Sequence, residues 1–268
     1  MDNKERESFI EKYFNSHTEE RLKMVSITCC DEPFLYRYRP MINEHDFQAL
    51  EENYFWQQTL NSQNDKEEGL IDLTYDYIKH SSSNVLRKIC SIRYIEASQK
   101  IAELNIEMRE QLKKYREPYG VVCFSESNIS DKMWRKYANE YQGICIAYSK
   151  KNLIDNRFHL VPTLYKQKKY IIDYFIIEER KRNELSVVLI DNQTEKILIS
   201  KTVADWGYER EWRHIDDINK GNCIPAIKPE KIYIGCNCAP MNKERIIEYC
   251  INNDVEFVIQ EVHGGEVL

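Results

Sequence analysis

An α+β fold is predicted for this chain on three observations. Segments with strand-type alternation are scattered from Phe34 to Val262, stretches of helical apolar spacing fall between them, and no Pro/Gly-rich linker cuts the 268 residues into halves. The chain is 42% hydrophobic and 12% aromatic, enough apolar content to bury a core. The expected layout is a single α+β domain over 34–268, preceded by an N-terminal helical extension over 1–33 and carrying a large helical insertion near 67–115.

Taken in order, Glu7 to Met24 places Phe9, Ile10, Tyr13, Phe14 and Leu22 at loose helical spacing. Phe34 to Arg39 alternates and is stopped by Pro40, as a strand would be. Asn43 is a suitable N-cap for a short helix through Glu52, and Tyr54-Phe55-Trp56 reads as a short strand before a polar loop from Leu60 to Asp65. From Glu67 to Lys114 the pattern is helical, with a break at His80–Asn84 and a regular second half around Ile92, Ile95, Ala102, Ile106 and Met108. Pro118 and Gly120 end it. Val121 to Phe124 is an apolar strand running into Ser125-Glu126-Ser127, and Ser130 or Asp131 caps a helix with Met133, Trp134 and Tyr137. Strands are expected at Ile144–Tyr148, Phe158–Leu164, Trp206–Arg213, Lys231–Gly235 and Val255–Val262, with a helix at Asn242–Asn252. Lys166 to Val203 reads mostly as helix, although Val187–Ile190 favours strand.

Bulk composition excludes several functions. Lys and Arg number 38 against 44 Asp and Glu, a net charge of −6 that gives no global pull toward nucleic acid or anionic membrane. No apolar run approaches the roughly 20 residues of a membrane span. The start, MDNKERESF, shows no secretory signal, so a cytoplasmic setting and no membrane partner are expected. The nine cysteines then read as free thiols. Cys223, Cys236, Cys238 and Cys250 with His214 lack a C-x-x-C pair, so no metal is expected. No G-x-G-x-x-G, G-x-x-x-x-G-K or G-x-S-x-G motif is present.

The densest chemical signal is Trp206-Gly207-Tyr208-Glu209-Arg210-Glu211-Trp212-Arg213. In an extended strand the E-x-E spacing puts Glu209 and Glu211 on one face and Arg210 and Trp212 on the other. Two carboxylates so close should push at least one pKa upward, which suits acid/base work or support of a cationic transition state. An edge strand of alternating ion pairs explains the same residues. On the first strand Arg37 and Arg39 share a face, and at the end of the mid-chain strand Ser125 and Ser127 do so. A turn of hydroxyls capping the next helix accounts equally for the serines. Lys166, Lys168, Lys169 and Arg180–Arg182 form a basic cluster whose default is a solvated face.

Several blocks, read in order, resemble the bacterial domain-of-unknown-function 2971 family. They are Leu35–Arg39, Asn64-Asp65, Cys123–Ser127, Met133-Trp134 with Tyr137-Ala138 and Gly143–Ile146, Tyr208–Arg213, and Ile232–Gly235. Lys66 stands where that pattern usually continues into Pro. The order of Arg, Ser and Glu on successive strands is in turn similar to ADP-ribosyltransferases. That resemblance implies a split central mixed or antiparallel sheet clamping NAD as a substrate. It implies Glu211, with Glu209, as the catalytic carboxylates, and Arg37, Arg39, Tyr36, Ser125, Ser127 and Tyr208 as the nucleotide-binding set. The chemistry asks for those types: a guanidinium for pyrophosphate, a carboxylate beside a forming ribosyl cation, an aromatic for a flat ring. The expected partners are a nucleotide-like small molecule and a protein or nucleic-acid acceptor, in a toxin, phage-defence or macromolecule-modifying context. A non-catalytic nucleotide-sensing or protein-interaction module on the same fold stands beside this reading, and fold analogy does not choose between them.

Overall fold

The computed structural model describes residues 1–16, 20–21, 23–25, 33–62, 71–74, 117–166, 170–173, 199–202, 206–217, 222–260, 262–263 and 266–267, with 103, 106–107, 109–110, 113–114 and 116. Helix α1 (Asn3–Phe14) starts from a capping box, Asp2 accepting from Glu5 N while Glu5 accepts from Asp2 N. Strand β1 (Phe34–Arg39) ends at Pro40, and α2 (Glu44–Glu51) begins from the Asn43 cap. Then come β2 (Tyr54–Trp56), β3 (Gln58–Thr59), β4 (Ile71–Thr74), β5 (Tyr119–Ser125), α3 (Asp131–Tyr137), β6 (Ile144–Ser149) and α4 (Lys150–Asp155). The rest runs β7 (Leu160–Pro162), β8 (Leu164–Lys166), β9 (Tyr170–Asp173), β10 (Ser200–Thr202), β11 (Glu211–Asp217), β12 (Cys223–Pro225), β13 (Lys231–Gly235), α5 (Pro240–Asn252), β14 (Glu256–Gln260), β15 (Val262–His263) and β16 (Glu266–Val267).

Eight strands form one mixed sheet in the order β14-β13-β6-β1-β5-β11-β7, with β3 also on β5. The β13–β14 pair is parallel and the other pairs of this sheet are antiparallel. One feature positions everything else: β1 and β5 meet at a single register pair, Tyr36 with Ser125. Toward the start of β5 its neighbour is β3 instead, through Gln58–Val121 and Thr59–Gly120. On its other edge β5 pairs with β11 along its full length, from Tyr119–Asp217 to Ser125–Glu211. The sheet is therefore open between β1 and β5 except at one point. Alternation sends Leu35, Val122, Phe124, Ile146 and Trp212 into the main core. Tyr38 and Cys145 go to a second cluster with Met133, Trp134 and Tyr141.

Several expectations need correction. Helix was expected over 67–115, yet Ile71–Thr74 is a strand paired in parallel with β9; the described residues from 103 to 116 are helical and 75–100 lie outside the described residues. Lys166–Val203 likewise contains β9 and β10, and β8 ends within its first residue. There the β-branched Ile71, Ile171 and Ile172 found strand partners, and pairing overrode a weak helical period. Val187–Ile190 lies outside the described residues. The Trp206–Arg213 strand begins only at Glu211, and β14 stops at Gln260. Strands β3 and β12 and helix α4 were not anticipated. None of the described helices is long and apolar enough to cross a membrane.

Candidate functional site

A cavity of about 850 Å³ opens where β1 and β5 part, and its wall takes residues from both faces of the sheet. Arg37 and Arg39 come from one face of β1, Tyr36 and Tyr38 from the other; Ser125 and Cys123 come from β5, Glu209 and Glu211 from the chain entering β11, and Lys201 from β10. Arg37, Ser125 and Glu211, widely separated in sequence, thus border one space, as do Tyr36, Arg39 and Glu209. Tyr208 and Ser127 do not line it.

The acidic pair is built by a bend. Gly207–Glu209 forms one 3-10 turn and Arg210 then adopts a left-handed backbone, φ 44° and ψ 49°, before the strand starts. The two carboxylates are therefore not successive residues on one strand face. They converge instead on the ammonium of Lys201, which lies 2.8 Å from both Glu209 Oε2 and Glu211 Oε2. Lys201 reaches this position because β10 pairs in parallel with β8, Lys201 opposite Tyr165. The Tyr165 hydroxyl in turn accepts from Glu211 N at 2.7 Å.

The environments of the two acids differ. Glu211 accepts from Arg213 Nε and Nη2, each at 3.1 Å, and from Thr163 Oγ1 at 3.3 Å. Burial alone would raise its pKa, but Arg213 and Lys201 overcome that and hold it well below the usual carboxylate range. Glu209 is pushed upward, by burial first and by the charge of Glu211 second, against the pull of Lys201. It also accepts a short hydrogen bond from the Tyr137 hydroxyl. Of the two, Glu209 holds its proton more readily, whereas Glu211 meets the geometric condition for a fixed ion pair.

Across the cavity, Arg37 donates from Nη2 to the Trp56 carbonyl at 3.3 Å and lies over the Phe55 ring. Its Nη1 is buried with no hydrogen-bond partner, and among the described residues no carboxylate pairs with it. Burial, then repulsion from Arg39, lowers its pKa to about 10, so it stays cationic at neutral pH. Arg39 is neutralised by Asp46 at 2.7 Å. Ser125 Oγ donates to the Glu209 carbonyl and accepts from Ser127 N, tying the acidic turn to β5. Ser127 shapes the loop before α3: its hydroxyl accepts from Ile129 N and its carbonyl from the Tyr38 hydroxyl. Tyr208 accepts from Lys136 Nζ at 3.2 Å, and burial lifts its pKa to about 12.

Sequence reasoning missed Lys201, Trp56 and His45, all on the cavity wall. Tyr137 also lines it, and its place three residues from Trp134 on one helix marks both as core or groove-lining from the sequence; Trp134 lies in the core. Asn64, Asp65, Lys168, Lys169 and Arg180–Arg182 lie outside the described residues. Cys238 and Cys250 are buried in the core, Cys223 and Cys236 are exposed, and the described residues hold no group of three potential metal ligands.

No curated protein and no solved structure matches the chain. A family model does match residues 133–214, a span that runs from α3 into β11 and includes Lys201, Glu209, Glu211 and Arg213, and not Arg37 or Ser125. Over that span the chain is similar to the family described as protein of unknown function (DUF2971).

Proposed function

We infer that the cavity binds an NAD-like dinucleotide and that the chain is an ADP-ribosyltransferase-like enzyme. The observation that carries the reading is a guanidinium with no carboxylate partner among the described residues, Arg37, facing two carboxylates across one cavity at a split in the sheet. The volume is within the usual 300–1,000 Å³ of small-molecule sites. In this reading Arg37 attracts the pyrophosphate. Glu211, anionic at neutral pH, stabilises the ribosyl cation as the bond from C1′ to the nicotinamide nitrogen breaks and its electron pair neutralises the pyridinium. The acceptor then bonds to C1′ and passes its proton to Glu209, the carboxylate with the higher proton affinity. Protein, nucleic acid and water are all chemically competent acceptors.

A second reading has its own support. Lys201, Glu209, Glu211 and Arg213 are joined by ion pairs, which suits a site built for recognition without turnover. Calorimetry with NAD, ADP-ribose and common nucleotides, followed by an assay for released nicotinamide, separates the two. Binding with nicotinamide release that is lost in Glu209→Gln and Arg37→Met supports the enzyme. Binding without release supports the sensor, and no binding by any of them rejects both.

A further inference from the structure

Glu209 is nearly sealed at the point where a proton has to reach it. It is 3% exposed, and each carboxylate oxygen already accepts from a donor: Oε2 from the Lys201 ammonium at 2.8 Å, Oε1 from the Tyr137 hydroxyl. Tyr137 also lines the cavity and is only half-buried, so the phenol is the more open of the two to an incoming acceptor. It is held still as well. Tyr137 ends α3, and the chain then turns back on the helix: Asn139, Glu140 and Tyr141 all have left-handed φ, Tyr141 N donates to the Trp134 carbonyl and Gly143 N to that of Ala138. Trp134 is buried, with its ring stacked on Tyr141. Burial first, then the charge of Glu209, raises the Tyr137 pKa, so the hydroxyl is a neutral donor at pH 7.

We propose that Tyr137 is a catalytic proton relay between the acceptor and Glu209. The relay rests on the reading above and adds the route by which the proton travels. As a lone pair of the acceptor bonds to C1′, nicotinamide leaves with the electrons of the C1′–N bond. The acceptor's proton passes to Tyr137 Oη while the proton of Tyr137 passes to Glu209 Oε1. Tyr137 ends as it began, a neutral phenol, and Glu209 ends protonated. No tyrosinate forms, an ion that burial beside a carboxylate would disfavour. Lys201, on the other oxygen, cannot serve: an ammonium has no lone pair to receive a proton. The Ser125 hydroxyl, also on the wall, is turned to the Glu209 backbone carbonyl instead.

Nicotinamide release from NAD with water as acceptor, followed in single turnovers of the full chain in mixtures of H2O and D2O, tests this. Two protons move together in the relay, so the wild-type rate should fall along a curve as the deuterium fraction rises, and along a straight line in Tyr137→Phe. Tyr137→Phe should slow release about a hundredfold, the low end of what a positioned proton-transfer group contributes, with NAD affinity by calorimetry unchanged. Tyr141→Phe, which removes a hydroxyl bonded to Asp131 at 2.5 Å away from the cavity wall, should alter neither rate nor curve. A straight wild-type line, or release by Tyr137→Phe at the wild-type rate, overturns the relay and leaves the enzyme reading standing. Weaker NAD binding that accounts for the slower release marks Tyr137 as a ligand contact and overturns it too. The wild-type curve decides the matter if the variant does not fold. If the wild-type chain releases no nicotinamide, the enzyme reading falls and takes the relay with it.

Discussion

Glu209 and Glu211 lie two residues apart and share Lys201, yet their protons are held to opposite degrees. Glu211→Gln would leave the buried Arg213 and Lys201 short of a counter-ion, at a cost of about 3 kcal/mol, so thermal melting at pH 7 should fall by about 6 °C or more. Because its folded-state pKa is depressed, this contribution is complete above the ordinary value of 4.5 and fades as pH falls through and below it. The gap between wild type and variant should therefore close in acid. Glu209 has the opposite sign: its raised pKa favours the fold below 4.5, and the benefit is lost as pH rises through the folded value. Glu209→Gln should then cost less stability at pH 7 than Glu211→Gln, and the same melts compare them. Arg37→Met removes a buried cation that has no carboxylate partner among the described residues. It should leave the melting temperature unchanged or higher while weakening NAD at least tenfold by calorimetry, as a site held ready for a ligand would. Arg37 and both acids were legible because aromatic alternation and the doubled carboxylate are local patterns. Lys201 was not, because its role depends on β10 lying beside β8, a pairing no local spacing encodes.

At the scale of elements, one buried side chain gives α1 a polar anchor on the sheet, beside its apolar face. Arg6 is buried and donates to the carbonyls of Thr163 and Glu211 and to Glu126 Oε1 at 2.5 Å. Glu126 also accepts from Arg210 and from the Trp212 indole, so α1, the end of β5 and the start of β11 converge on it. Replacing Arg6 with Met should cost about 3 kcal/mol in urea unfolding, since Glu126 would remain buried with fewer partners. The apolar face of α1 was readable from Phe9, Ile10 and Tyr13, but its polar anchor was not: Arg6 precedes the apolar run and looks like one more charge on a charged helix. The strands in 71–74, 170–173 and 200–202 escaped for a related reason. Each is three or four residues long, too short to show a period of two, and each is made by its partner strand.

For the whole molecule, a ligand that binds only the folded state should protect it in proportion to occupancy. NAD at 100 times its dissociation constant contributes about 2.7 kcal/mol, so scanning calorimetry should show melting raised by about 5–10 °C, with a much smaller rise in Arg37→Met at the same concentration. The mixed α+β architecture was readable from scattered strand signals, whereas the layout of the sheet came only from its long-range pairings. Its joint at Tyr36 and Ser125 has a mechanical consequence. A seam stitched at one point acts as a hinge line: β14-β13-β6-β1 and β5-β11-β7 can change their mutual angle while every ladder on either side stays intact. A molecule lying across that seam would pin it, with little need to alter its shape. The ligand would then be felt as stiffness, in slower amide exchange of the strands on both banks.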